Sequence, residues 1–292
     1  MKPAPFDWYR AGSAEEALAL LAEHGDDARP LAGGQSLIPA MNFRLARPSV
    51  LVDLNPAENL SGIETTTSGD LRIGAMTRQQ ALERSAAVAA QAPLLAEALP
   101  WVAHAQIRTR GTAGGSVAHA DPAAELPAVF VALEARYLLR STGGERWVDS
   151  ASFATGLFAT ELQQGELLTA IEIPSMPPAT GSAFIEMARR HGDFALAGVA
   201  CTITLDAWGR CSNARVVLFG VGDGPVLSTG ASNSLAGVMP DEAAIREAAV
   251  TIEQEVDPPS DIHASANYRR HLSGVLSRRA LTRAVERAKR EA

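Results

Sequence analysis

Two glycine-rich segments in the first half of the chain contain the residue types that could bind a large anion. They are Ala32-Gly33-Gly34-Gln35-Ser36-Leu37 and Gly111-Thr112-Ala113-Gly114-Gly115-Ser116. Glycine has no Cβ and adopts positive φ easily, so consecutive glycines can direct several backbone N–H groups at phosphate oxygens. Together the two segments could hold one diphosphate, although neither matches a Rossmann or P-loop pattern. A pair of ordinary tight turns is the alternative.

Helices are expected to follow both segments. Ser36 can cap a helix that runs to about residue 43, and Asp121-Pro122 has the cap-then-proline order that starts a helix to about residue 133. Residues 30–32 read as a short strand before the first segment. The partial positive charge of a helix N-terminus would add to the loop amides at this first site.

The polar side chains give little support for nucleophilic catalysis, paired-carboxylate hydrolysis or metal binding. Ser36 does not lie in a Gly-x-Ser-x-Gly elbow, which favours a cap or a phosphate contact over a nucleophile. Asp121 and Glu125 are four residues apart, and this pair favours a cap and a ribose contact over a paired-carboxylate hydrolase. Three histidines lack metal-ligand spacing: His104, His119 and His191. We therefore predict no catalytic side chain and no metal ligand, and His119 as either a ligand contact or a hydrogen-bonded structural residue.

The overall composition bounds the class of protein. The 292 residues are 47% hydrophobic and 20% charged, as in a globular protein of about two domains. A net charge of −7 argues against a nucleic-acid partner, because phosphate binding needs concentrated Lys and Arg. No apolar stretch approaches the ~20 residues of a membrane span, and the start lacks the apolar core of a signal peptide. These features predict a cytoplasmic protein.

The chain has two cysteines, Cys201 and Cys211. Their spacing is neither that of a zinc site nor that of a disulfide scaffold, which indicates ordinary thiols. A cysteine-ligated iron–sulfur cluster held by this chain alone is excluded, because such clusters generally need four cysteines.

Residues 174–181 concentrate turn-forming residues, and the patterns on the two sides of this segment differ. Before it, short strands and helices alternate. After it, three antiparallel strands and two helices are expected, at 183–189, 198–206, 214–219, 241–254 and 277–289. The sequence thus predicts an α+β fold with one domain at 1–177 and a smaller one at 178–292, an antiparallel sheet with helices on one side.

The succession of motifs resembles the FAD-binding medium subunit of the molybdenum hydroxylases, the family of carbon monoxide dehydrogenase and xanthine dehydrogenase. The resemblance is carried by both glycine segments, by Ile107-Arg108 before the second, and by residues 118–125, 167–174 and 189–195. It spans nearly the whole chain in matching order and spacing. Ser116 stands where the xanthine dehydrogenase branch has asparagine, and in this the chain is more similar to the carbon monoxide dehydrogenase branch.

The resemblance implies a two-part FAD-binding domain of the vanillyl-alcohol-oxidase (PCMH) type over residues 1–177, followed by the C-terminal domain of the carbon monoxide dehydrogenase flavoprotein type. The two glycine segments would hold the FAD pyrophosphate between them. Glu125 would hydrogen-bond the sugar portion, and Leu168 would pack near a ring. Asp193 and Phe194 belong to a motif near the flavin, where Phe194 either shields one face of the isoalloxazine or is a core residue of the first C-terminal strands.

The function implied by the resemblance is electron transfer through FAD within a larger complex. A large molybdopterin-binding subunit and a small iron–sulfur subunit would be the partners, in a heterotrimer that dimerises. The chain would pass electrons from the iron–sulfur clusters to an external acceptor. A stand-alone FAD oxidoreductase of the same fold and a scaffold subunit that has lost the flavin are the alternatives. The substrate and the acceptor, whether quinone, cytochrome, oxygen or NAD, stay open.

Overall fold

A computed structural model describes residues 1–291 of the chain. Up to residue 173 the elements are β1 (Asp7–Arg10), α1 (Ala14–His24), β2 (Ala28–Leu31), α2 (Leu37–Asn42), β3 (Val50–Asp53), β4 (Ile63–Thr65), β5 (Leu71–Gly74), α3 (Gln79–Glu83), α4 (Ala86–Gln91), α5 (Pro93–Ala98), α6 (Ala105–Arg108), α7 (Ala113–His119), α8 (Glu125–Ala132), β6 (Arg136–Ser141), β7 (Gly144–Asp149), α9 (Ser150–Phe153), β8 (Ala154–Gly156), β9 (Ala159–Thr160) and β10 (Leu167–Ile173). The remaining elements are β11 (Thr180–Ala188), β12 (Ala195–Leu205), β13 (Cys211–Phe219), β14 (Val226–Leu227), α10 (Thr229–Leu235), α11 (Glu242–Glu255) and α12 (Ala266–Glu291).

The N-terminal layer is a three-stranded parallel sheet in the order β1-β3-β2, packed against α1. Ser13 caps α1 by accepting a hydrogen bond from the N–H of Glu16. The buried residues of α1 recur with helical spacing: Ala14, Ala17, Leu18 and Leu21. They pack against Val50 and Val52 of β3, so the apolar stripe of one helix fixes the position of the sheet that leads to the first glycine segment.

A five-stranded antiparallel sheet forms the second layer, in the order β4-β5-β10-β6-β7. Its central strand, β10, is buried at all seven positions, which explains its uninterrupted run of mostly apolar residues. Helices α7 and α8 pack on this part of the molecule, and α8 is buried along its whole length. The second glycine segment is thereby fixed to the main core.

The C-terminal sheet is antiparallel, in the order β11-β12-β13-β14. Helices α10, α11 and α12 belong to the core on one face, as the sequence predicts. The other face packs against α5 and α8 of the preceding region, with Phe184 and Phe219 stacked at 5.6 Å in that shared core. One apolar cluster therefore spans both parts of the chain, while separate clusters lie under α1 and under α10, α11 and α12.

Three helix starts differ from the sequence-based expectation. The segment at 111–116 is not a turn throughout, because α7 begins at Ala113 with Thr112 as its cap. Asp121 does not cap α8, which begins at Glu125; the Asp121 carboxylate instead accepts from the N–H of Ala123 in a local turn. Helix α12 begins eleven residues before the expected residue 277.

Candidate functional site

The two glycine segments are in direct contact. A Cβ added at Gly33 would lie 2.5 Å from the carbonyl oxygen of Arg110 and 2.9 Å from the Cα of Gly111. Both obstacles are backbone atoms, so no other residue fits at Gly33 without separating the segments. A cleft of about 340 Å³ opens at this junction, lined by Leu31, Ala32, Gly33, Gly34, Gln35, Ile38, Pro39 and Arg110.

The first segment presents unpaired backbone donors. The N–H groups of four consecutive residues donate no hydrogen bond within residues 1–291: Gly33, Gly34, Gln35 and Ser36. Gly34 has a φ of 72°, and the side-chain amide of Gln35 folds back to the carbonyl of Gly33 at 3.1 Å. Ser36 and Leu37 mark the start of α2 as expected, but the Ser36 side chain makes no capping bond. Unpaired amides bordering a cleft are the donors that an anion needs.

The second segment differs, because the chain itself uses nearly all of its amides. Gly111 donates to Ile107, Ala113 to Thr77, Gly114 to Ala75 and Ser116 to Thr112. The N–H of Gly115 donates to the Thr112 hydroxyl at 3.1 Å. The expectation that this segment directs several amides at a phosphate is therefore wrong. Its glycines serve packing instead.

Gly114 shows this packing most clearly. A Cβ there would lie 2.5 Å from the Cβ of Ala75 and 2.7 Å from Cδ2 of Leu168. Leu168 is buried beneath α7, 4% exposed. The absence of a side chain at Gly114 thus lets α7 pack closely on β5 and β10. This packing fixes the position of the second segment where it contacts Gly33.

Asp193 and Phe194 lie in the loop between β11 and β12, outside the cleft lining. A Cβ on Gly192 in this loop would lie 2.5 Å from ring atoms of His104, and the rings of Trp101 and His191 are 5.0 Å apart. The loop therefore packs on the segment that leads into α6 and Gly111. Phe194 is 72% exposed, so its interpretation as a core residue is wrong.

Glu125 is buried in the first turn of α8, and burial raises the pKa of its carboxyl to about 7. Glu186 on β11 is also buried, and neither of its carboxylate oxygens has a hydrogen-bond partner within residues 1–291. Burial, and then the charge of Glu125, raise the pKa of Glu186 to about 8. The interior next to α8 thus favours neutral carboxyl groups.

We expect Glu186→Gln to stabilise the folded chain at pH 8 and to change its stability little at pH 5. The folded-state pKa exceeds the ordinary 4.5, so folding takes up a proton and the wild type loses stability as the pH rises from about 4.5 to 8. An uncharged amide removes that loss, a gain of at least about 2 kcal/mol at pH 8. Urea unfolding at both pH values measures it, with exposed Glu247→Gln as the control. An equal effect of Glu186→Gln at pH 5 and pH 8 would refute the assignment.

The side chains that sequence reasoning missed are Arg110, Arg78 and Asn55. Arg110 directly precedes Gly111 and lines the cleft. Arg78 and Asn55 come from distant parts of the sequence and hydrogen-bond each other at 2.5 Å. Only the adjacency of Arg110 to the glycine segment could have indicated a role. His119 stacks near Phe158, with the ring centroids 5.2 Å apart, away from the cleft lining.

Comparison with known proteins decides the family. Residues 4–176 match the family described as the FAD binding domain in molybdopterin dehydrogenase, and residues 182–284 match the CO dehydrogenase flavoprotein C-terminal domain. The chain belongs to these families. The site fits such a cofactor, because a cleft with unpaired amides and a nearby cation suits the diphosphate of FAD. The predicted resemblance, the α+β fold, the FAD cofactor and the oxidoreductase class are confirmed.

Relatives within the family align from end to end. The alpha subunit of the 6-hydroxypseudooxynicotine dehydrogenase complex of Paenarthrobacter nicotinovorans is 43% identical, over 99% of this chain and 97% of its own length. The carbon monoxide dehydrogenase medium chain of Afipia carboxidovorans is 41% identical, over 99% and 100%. The xanthine dehydrogenase FAD-binding subunit of Escherichia coli O157:H7 is 27% identical, over 96% of each.

A solved structure agrees with this assignment. Reconstituted CO dehydrogenase from Oligotropha carboxidovorans contains a chain that superposes with a TM-score of 0.95 at 41% identity, covering 98% of this chain and all of that one. Across residues 1–291, no helix is long and apolar enough to cross a membrane. The same residues contain no group of three or more His, Cys, Asp or Glu side chains placed to hold a metal ion.

Proposed function

We propose that this chain is the FAD-containing electron-transfer subunit of a molybdenum hydroxylase complex. The observation that carries the proposal is the row of unpaired N–H groups in the cleft beside Arg110. These N–H groups are hydrogen-bond donors for an anion. They provide no acid, base or nucleophile that could act on a substrate. FAD supplies the redox chemistry when bound, while the protein supplies binding, orientation and electrostatics.

The proposed roles of the residues follow from their surroundings. The amides from Gly33 to Ser36 bind the pyrophosphate, and the second segment shapes the opposite wall. Glu125, whose raised pKa favours the protonated form, can donate as well as accept a hydrogen bond to the sugar portion. Leu168 would support the ring indirectly, since it lies against Gly114. Asp193 and the exposed Phe194 would contact the flavin from the second domain.

In the proposed complex a large molybdopterin-binding subunit oxidises the substrate, and a small iron–sulfur subunit delivers the electrons to this chain. The chain passes them to an external acceptor. We place the domain boundary after residue 177, between the two matched families, and the complex, a dimerised heterotrimer, in the cytoplasm. The naming of several relatives as subunits or medium chains supports this assembly.

Affinity purification of the tagged full chain from its own organism tests the proposal. We expect two further polypeptides to co-purify, with molybdenum, iron and FAD in fixed ratio. Metal analysis and released flavin measure this ratio. A chain that purifies alone and oxidises a substrate with its own FAD would instead establish the stand-alone oxidoreductase, and a chain that purifies with partners but without flavin would establish the scaffold.

Phe194→Ala is expected to raise the reoxidation rate of the bound flavin several-fold. The side chain is 72% exposed, so its loss should change the free energy of unfolding by no more than about 0.5 kcal/mol. Stopped-flow absorbance measures the rate, and Trp208→Ala, another exposed aromatic at 79%, is the matched control. An unchanged reoxidation rate together with an unchanged flavin content would end the shielding role.

A further inference from the structure

Arg110 supplies a positive charge at the border of the cleft. The residue lines the cleft together with Gly33 and Gly34, and it is exposed. Within residues 1–291 its guanidinium makes no hydrogen bond and no ion pair. Because the second glycine segment uses nearly all of its amides internally, Arg110 is the group on that side of the junction able to balance an anion.

Arg78 holds this arrangement in place. Its Nη1 donates to the carbonyl oxygen of Arg110, and its Nη2 donates to Oδ1 of Asn55 at 2.5 Å. The Asn55 amide nitrogen in turn donates to the carbonyl of Ala32 at 3.1 Å. One guanidinium and one amide therefore tie the first glycine segment to the second, and the planar fork of arginine suits two acceptors in fixed directions.

The charges around the junction are unbalanced. Burial, and then the positive charge of Arg110, hold the pKa of Arg78 below its usual value, and Asp53 opposes this only in part. The Asp53 carboxylate is buried and accepts from the backbone and side-chain N–H groups of Asn55. Two neighbouring cations, with the one carboxylate of Asp53 acting on Arg78, leave a positive field at the cleft that a bound anion would reduce.

We propose that Arg110 is the counter-charge for the cofactor diphosphate and that Arg78, through Asn55, is the positioning residue that fixes Arg110 and the two glycine segments. This inference rests on the proposed function. The two walls of the cleft then have different roles. The first segment supplies neutral amide donors, and the second supplies the positive charge of Arg110.

Titration of the flavin-free full chain with FAD tests the role of Arg110. We expect Arg110→Gln to weaken FAD binding about ten-fold, because a charge-assisted contact to phosphate is lost, and to reduce the salt dependence of the affinity. The matched control is Arg84→Gln, which removes another exposed arginine outside the cleft, one whose side chain has no partner within residues 1–291, and it should change neither value. Flavin fluorescence at low and high salt measures both.

The outcomes are distinguishable. If the wild type takes up no FAD, the proposed function fails. If the wild type binds FAD and Arg110→Gln binds it equally well with the same salt dependence, only this inference is overturned. Arg110 is exposed and unpartnered, so its replacement leaves folding intact, which circular dichroism verifies.

A double-mutant cycle tests the positioning role of Arg78. Arg78→Lys keeps the charge but lacks the planar fork that sets two donors in fixed directions, so we expect it to weaken FAD binding several-fold in the wild type and clearly less in the Arg110→Gln background. A role limited to general stability would give equal losses in both backgrounds. Equal losses would therefore overturn the positioning part of the proposal.

Discussion

Replacing Gly33 with alanine is expected to lower the affinity of the chain for FAD by at least about 100-fold. The added Cβ would lie 2.5 Å from the carbonyl oxygen of Arg110 and 2.9 Å from the Cα of Gly111. Backbone atoms cannot swing aside as a flexible side chain can, so the two segments must move apart. The unpaired amides would then no longer face the wall that carries Arg110, and the loss of about two good contacts, roughly 3 kcal/mol, corresponds to this factor.

The measurement is a titration of flavin-free protein with FAD, with circular dichroism to confirm the fold. Gly143→Ala is the matched control, because Gly143 lies in the turn between β6 and β7, where a Cβ would come no closer than 3.7 Å to another atom. We expect that variant to bind like the wild type. Gly33→Ala protein that keeps its fold and binds FAD within three-fold of the wild type would show that the junction is not the binding site.

The second large effect is on stability. Arg108→Met should lower the free energy of unfolding by about 3 kcal/mol, because a buried ion pair is broken on one side only. The Arg108 guanidinium forms two contacts with the Glu83 carboxylate, at 2.9 and 3.1 Å. It also donates to three backbone carbonyls in the segment before α6, those of Pro100, Val102 and Ala103. The replacement leaves all of these acceptors without their donor.

Urea unfolding measures this effect, and Arg246→Met gives the contrast. Arg246 pairs with Glu242 on the surface of α11, with side chains 60% and 83% exposed, so its loss should cost less than about 0.5 kcal/mol. If both variants lost the same amount, the Arg108 network would have no special part in holding the segment that leads to Gly111.

Many helices and strands could be predicted from the sequence because their local sequence patterns agree with the way they pack in the folded chain. The helix expected to follow Ser36 begins at Leu37, and the elements expected at 198–206, 214–219 and 241–254 are β12, β13 and α11. The order and spacing of the motifs indicated the family correctly. These features depend on residues close together in the chain, where capping and periodicity are direct physical signals.

The errors arose where distant contacts decide the local structure. The second glycine segment is a helix start capped by Thr112, and its Gly114 packs on Ala75 and Leu168, a contact that no local pattern reveals. Helix α12 runs through Gly274, where a Cβ would lie 2.0 Å from Oε1 of Glu253 on α11. Glycine in both places reflects close packing and not a turn.

Part of the candidate site was equally beyond the sequence. Arg78 and Asn55 are 23 residues apart, and their bridge between the glycine segments depends on how β3 and β5 present their following loops. Neither residue stands in a recognisable motif. The first glycine segment could be singled out from its sequence, since a pattern of consecutive glycines specifies what backbone chemistry is available.

The most direct test of the central claim is the visible absorption spectrum of the purified full chain, followed by heat release and identification of its cofactor. We expect a yellow protein that releases FAD at close to one molecule per chain. A colourless protein that also fails to take up added FAD would contradict the flavoprotein function and leave the scaffold as the role of this chain.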